Sequence, residues 1–197
     1  MKLVSAQNIT YSINENKLFH NLSFSVNASE CLHIKGGNGS GKSTLLRIIL
    51  GITPPSKGLV ESCNQDLDIS YLGHKNAIKN YLTPRENLDL IFNNIELNNA
   101  FEWVQKFGLS HVQDELTANL SFGQQKKLAL IRVLAKSSEL IVLDEPFVGL
   151  DHAAADQLNN FLNTKLLQGV GLILTSHINP MIDCKVLELG RNNAEIN

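Results

Sequence analysis

Eight consecutive residues, Gly36-Gly37-Asn38-Gly39-Ser40-Gly41-Lys42-Ser43, constrain this chain more than anything else in its sequence. The apolar run Cys31 to Ile34 before them predicts a short buried strand. Leu45, Leu46, Ile48 and Ile49 behind them recur at helical spacing, predicting a helix from Lys42 to Leu50 that Thr53-Pro54-Pro55 stops. A glycine-rich bend between strand and helix lets successive backbone N–H groups curl around phosphate oxygens, and the helix start adds its positive dipole end. Residues Gly36 to Thr44 therefore form a candidate phosphate cradle. Lys42 is placed to reach the β- and γ-phosphates, and the Ser43 hydroxyl to hold Mg²⁺.

A second feature completes that chemistry. Leu140-Ile141-Val142-Leu143 reads as a buried parallel strand and ends in Asp144-Glu145. Acids at the carboxyl end of a parallel strand stand where open α/β sheets bind ligands. Asp144 can hold Mg²⁺ directly or through water, and Glu145 can orient or deprotonate an attacking water.

Elsewhere, strands are expected at Leu3–Thr10, Leu22–Val26, Gly58–Glu61, Ile69–Leu72, Val170–Thr175 and Val186–Leu189, with turns at Asn14-Glu15-Asn16 and Asn64-Gln65-Asp66. Thr83-Pro84-Arg85-Glu86 is a helix start with threonine at the cap, proline next and glutamate three residues after the cap. Leu88, Ile91, Phe92 and Ile95 continue it at helical spacing. A second helix is expected from near Asn99, with Glu102 three later, to Gly108. Ser121 opens a third, and Ala153–Leu167 reads as a fourth. Strands alternating with helices predict α/β architecture with a mostly parallel sheet. We expect one domain, 1–197, with a helical subdomain at approximately 75–135.

Composition excludes several classes. The net charge of −2 carries no general attraction to nucleic acid, and no apolar stretch is long enough to span a bilayer. No N-terminal segment reads as a signal peptide. Cys31, Cys63 and Cys184 are odd in number and far apart, so neither a disulfide framework nor a zinc site is expected, and a reducing cytoplasm is the natural compartment.

Leu120-Ser121-Phe122-Gly123-Gln124, 23 residues before Asp144, resembles the LSGGQ signature of ABC ATPases, with Phe122 where glycine is usual. Read physically, it is another capped helix start suited to an anion. Gly149-Leu150-Asp151 resembles that family's D-loop, and His177 its switch histidine. The resemblance runs from about Leu3 to Leu189. It implies a P-loop NTPase fold with a small antiparallel β part, and ATP and Mg²⁺ as ligands. Lys42, Glu145 and His177 would be catalytic, and Ser43 and Asp144 would hold the metal. It also implies a head-to-tail homodimer, in which the signature residues Ser121, Gly123 and Gln124 face the partner's nucleotide, and it places Asp151 among the nucleotide-binding residues. An aromatic residue usually stacks on adenine. Here Tyr11 is the candidate, although the expected position falls near Ile13, where the contact would be merely apolar.

Tyr71-Leu72-Gly73-His74 places His74 where most members carry glutamine; an imidazole can serve the same polar reach toward Mg²⁺ or water. Together with Leu82-Thr83, Glu86-Asn87-Leu88 and Ser121-Phe122-Gly123-Gln124-Gln125-Lys126-Lys127, it resembles the haem-exporter ATPases of cytochrome c maturation. That implies a peripheral subunit on the cytoplasmic face of the bacterial inner membrane, paired with integral membrane subunits. With no C-x-x-C-H segment, direct haem binding is not expected. The alternatives are the ATPase of another bacterial ABC transporter or a non-transport ABC ATPase. The short stretch between Gly41 and Leu120 leaves no room for the long coiled coils of DNA-repair members.

Overall fold

Two kinds of strand build two sheets in the computed structural model, which describes residues 1–13, 16–63, 66–190 and 194–196. Strands β1 (Lys2–Ile13), β2 (Asn16–Asn27) and β4 (Lys57–Ser62) make an antiparallel sheet in the order β2-β1-β4. Strands β3 (Cys31–Gly36), β5 (Ile69–Leu72), β6 (Leu140–Asp144), β7 (Gly171–Thr175) and β8 (Lys185–Leu189) lie parallel. Their order is β5-β6-β7-β3-β8, and β9 (Ala194–Ile196) adds an antiparallel edge.

Every residue of β6 and β7 is buried, which explains their unbroken apolar sequences: both faces of a covered parallel sheet are dry. Alternate residues feed two cores. Ile141, Leu143, Leu172 and Leu174 pack with Leu130 and Leu158 from the helices, whereas Leu140, Val142 and Ile173 pack with Ile9, Phe24, Leu45 and Leu46 beneath the antiparallel sheet.

The helices are α1 (Lys42–Ile49), α2 (Pro84–Asp89), α3 (Asn94–Lys106), α4 (Phe122–Leu134) and α5 (His152–Leu167). As expected, Thr83 caps α2 with Glu86 closing the box and Ser121 caps α4; Gln124 closes a second box that the sequence reading did not assign. Two expectations fail. The first helix of that region stops at Asp89 instead of continuing through Ile95, and the next begins at Asn94, not near Asn99. The cause is Asn93, whose side chain accepts N–H bonds from Ile95 and Glu96 while Glu96 closes a capping box. Asn99 and Glu102 repeat the same pattern six residues later, inside the helix. β1 and β2 also run longer than expected. The predicted turns at Asn14-Glu15 and Asn64-Gln65 lie outside the described residues.

The cysteine expectation also needs correction: Cys31 and Cys184 are joined by a disulfide, with Cα atoms 4.5 Å apart although 153 positions separate them in sequence. Spacing along the chain misled because β3 and β8 are neighbours. Leu32 pairs with Lys185, so the residues just before them stand side by side. Cys63 is free and exposed. Among the described residues no helix is long and apolar enough to cross a membrane.

Candidate active site

The strand order brings four carboxyl ends together, those of β5, β6, β7 and β3, and a cleft of about 600 Å³ opens above them. One wall is the bend between β3 and α1. Gly36 must lack a side chain, because a Cβ there would strike Ser40 Oγ and the Leu189 carbonyl. Gly41 has φ +97° in the left-handed region and opens α1 without any side-chain cap, so the leading N–H groups of that helix are left for a ligand. Gly37 to Thr44 line the cleft, with Gly36 below them. Lys42, 8% exposed, donates from Nζ to the Gly36 carbonyl at 2.8 Å.

The facing wall carries the acids. Asp144 is 1% exposed and its Oδ1 accepts the Thr175 hydroxyl at 2.8 Å, in line with the Asp144–Thr175 pairing between β6 and β7. Its Oδ2 is buried and has no hydrogen-bond partner among the described residues. A buried carboxylate oxygen without a donor fits a cation-binding role beside the Ser43 hydroxyl.

Glu145 leaves the strand with φ +48°, a strained turn for a residue with a Cβ, held where its N–H donates to Thr175 Oγ1 at 2.9 Å. That turn points the carboxylate back across the cleft. Glu145 Oε1 lies 3.6 Å from Lys42 Nζ and 3.4 Å from His177 Nε2, and Oε2 accepts the His177 backbone N–H at 3.3 Å.

The remaining lining comes from Ile13, Leu18, His74, Asn76, Phe122, Lys126 and Val148. Arg132 of α4 donates to the carbonyls of Asn76 and Ala77, fixing the segment that follows His74. Tyr11 is not among the lining residues. Its ring stacks on Phe19, its cross-strand partner, at 6.2 Å, and Ile13 and Leu18 present an apolar surface to the cleft instead. Ser121, Gly123, Gln124 and Asp151 also stand outside the cleft. Ser121 and Gln124 close the α4 cap, Gly123 packs against the Gly149 carbonyl, and Asp151 caps α5. Lys127 donates to Asp151 at 2.6 Å and holds its carboxyl below the usual range.

Two polar residues of this region escaped the sequence reading. Lys126 is 4% exposed; burial pushes its ammonium down, and Asp144 and Glu145 partly offset that. The signal was available, since Lys126 shares a helix face with Leu130 and Val133 at spacings of four and seven. His33, also buried, contacts the Ser176 carbonyl at 3.0 Å. A histidine within the sealed run Cys31–Ile34 was its only trace.

A glycine bend between strand and helix, a strand-end acid pair and a capped helix start on one mostly parallel sheet are the parts of an ABC-type nucleotide-binding unit. A model of the ABC transporter family matches residues 19–148, and the chain belongs to that family as an ATP-binding subunit. The chain is 35% identical over 188 residues to the cytochrome c biogenesis ATP-binding export protein CcmA of Dechloromonas aromatica (strain RCB), covering 89% of this chain and 92% of that protein. It is 34% identical to the CcmA of Escherichia coli (strain K12), covering 90% of each. Among solved structures, the ATP-binding subunit of an ABC transporter superposes with a TM-score of 0.86 at 22% identity, over 98% of this chain and 88% of that one. A nucleotide-free ATP-binding cassette superposes with a TM-score of 0.77 at 24% identity, over 98% and 90%. Both share the fold.

Proposed function

We propose that this chain hydrolyses ATP to energise haem export or handling in cytochrome c biogenesis. Residues 1–197 act as one nucleotide-binding domain, with a helical subdomain at approximately 75–135. The observation that carries the catalytic part is the convergence of Lys42 and His177 on the Glu145 carboxylate beside the glycine bend. The haem part rests on the likeness to the CcmA proteins.

In this reading Gly36 to Thr44 wrap the phosphates and Lys42 neutralises their terminal charge. Ser43 and Asp144 hold Mg²⁺, which when bound shields phosphate charge. His74 and Asn76 close the metal side of the cleft. Glu145 orients or deprotonates the attacking water, and His177 senses the end of the triphosphate. Ile13 and Leu18, in place of Tyr11, offer the adenine an apolar contact. Ser121, Gly123, Gln124 and Asp151 lie outside their own cleft, which suits a head-to-tail homodimer in which they serve the partner's nucleotide. Integral membrane subunits would hold such a dimer at the cytoplasmic face of the inner membrane.

Glu145→Gln should lose turnover by a factor of about 100 or more while retaining ATP and stabilising a dimer by light scattering. Unchanged turnover would remove Glu145 from the chemistry. Lys42→Ala should abolish hydrolysis. Deleting the gene should remove covalently attached haem from c-type cytochromes, restored by the wild-type chain and not by Lys42→Ala. Normal cytochromes in the deletion strain would sink the haem assignment and leave the ATPase reading standing.

A further inference from the structure

Strand β3 is the central strand that feeds the phosphate cradle, and its segment Cys31 to Ile34 is wholly buried. One member of that segment is polar. His33 is 2% exposed, and its Nε2 lies 3.0 Å from the carbonyl oxygen of Ser176. A carbonyl can only accept, so Nε2 carries the hydrogen. Burial lowers the ring's pKa, which keeps it neutral.

The acceptor's place matters. His33 pairs with Leu174, and the β3–β7 ladder ends at Ile34–Thr175, so Ser176 lies one residue past the last strand pair. The Ser176 carbonyl and the His177 N–H belong to one peptide unit. His33 donates to its oxygen from one side, while its nitrogen donates to Glu145 Oε2 at 3.3 Å on the other. The Ser176 hydroxyl accepts the Ile178 N–H at 3.1 Å and braces the following turn. The backbone that carries His177 is thus fixed from β3 and from the end of β6, although His177 itself is 51% exposed on its side chain.

We propose that His33 is a positioning residue for His177: by clamping the Ser176–His177 peptide plane it sets the direction in which the His177 imidazole enters the cleft. This deepens the ATPase reading and rests on it. The strand that shapes the phosphate cradle would then also aim the histidine that meets the other end of the nucleotide. The same peptide plane would tie His177 to the state of Glu145.

The test uses the full chain, with His33→Leu to remove the donor and His33→Gln to restore an N–H of similar reach. His33→Leu should bind a fluorescent ATP analogue within about twofold of wild type and lose kcat by on the order of tenfold, since displacement of a reacting group by about 1 Å carries penalties of that size or more. His33→Gln should recover most of the loss. In a His177→Ala background, His33→Leu should cost no further turnover, because the residue it aims is gone. Nitrogen-15 NMR of the wild-type chain should find the His33 ring in the neutral, Nε2-protonated form.

Wild-type kcat in His33→Leu, failure of His33→Gln to recover, an additive loss on His177→Ala, or an Nδ1-protonated ring would each overturn the proposal. If His33→Leu does not fold, His33→Asn, polar but too short to reach Ser176, carries the same expectations. Wild-type chain without any hydrolysis would instead bring down the ATPase reading beneath it.

Discussion

Asp144 and Glu145 are neighbours in the chain, yet the end of β6 gives them different surroundings. Asp144 is still in the ladder, sealed, and keeps one oxygen without a hydrogen-bond partner among the described residues; Glu145 has turned out of the strand and meets Lys42 and His177. Lys126 brings a second ammonium to this corner, and its burial gives a prediction with a definite sign. Its pKa lies below the ordinary 10.5 because burial disfavours the charged form. The unfolded chain therefore binds that proton more readily, and the folded chain is penalised at neutral pH, less so as pH climbs toward 10.5. Lys126→Met should raise the melting temperature at pH 7, by the equivalent of on the order of 1 kcal/mol, with the gain shrinking in alkaline buffer. A lower melting temperature would mean that attraction to Asp144 and Glu145 outweighs the burial cost. At this scale, placements set by chain neighbours were legible: the glycine bend, Lys42 and the acid pair line one cleft. Lys126 and His33 meet partners 18 or more positions away; helical spacing marked the face Lys126 shares with Leu130 and Val133, but it did not name those partners.

Among the elements, helix starts decided what could be read. Thr83 announces α2 because it has its glutamate partner three residues on, Ser121 announces α4 as a cap, and both helices follow. α3 offered two such pairs, Asn93 with Glu96 and Asn99 with Glu102, and only the first has a chain segment before it free to turn away. Asn93→Ala should therefore cost about 1 kcal/mol, or roughly 2–4 °C in melting temperature for a chain of this size, whereas Asn99→Ala should cost far less. Equal losses would contradict the assigned start. Tyr11 shows the same dependence on register. Sharing a strand face with Ile13 did not bring it to the cleft, because Phe19 stands opposite and takes its ring.

For the whole molecule, the alternation of strand and helix fixed the fold class, but not the order in which the strands lie. That order places β3 between β7 and β8, and it turns Cys31 and Cys184 from distant residues into a bridge. A cross-link closing so long a loop restricts the unfolded chain far more than the folded one, with typical gains of about 2–4 kcal/mol. Oxidised native protein should expose a single reactive thiol, Cys63, to a thiol reagent, and a reductant should lower the melting temperature. Unfolded without reductant, the oxidised protein should still show one reactive thiol, and three would show that the pair is not bridged.

The contact between the first turn of α4 and the bend at Gly149 has a mechanical meaning. The Phe122 ring lies where a Cβ on Gly149 would stand only 2.5 Å away, the Gly149 carbonyl sits 2.7 Å from the corresponding point on Gly123, and Lys127 grips Asp151 just beyond. With so little room between them, a side chain larger than glycine at either position would part the start of α4 from a bend that lies only four residues downstream of Glu145.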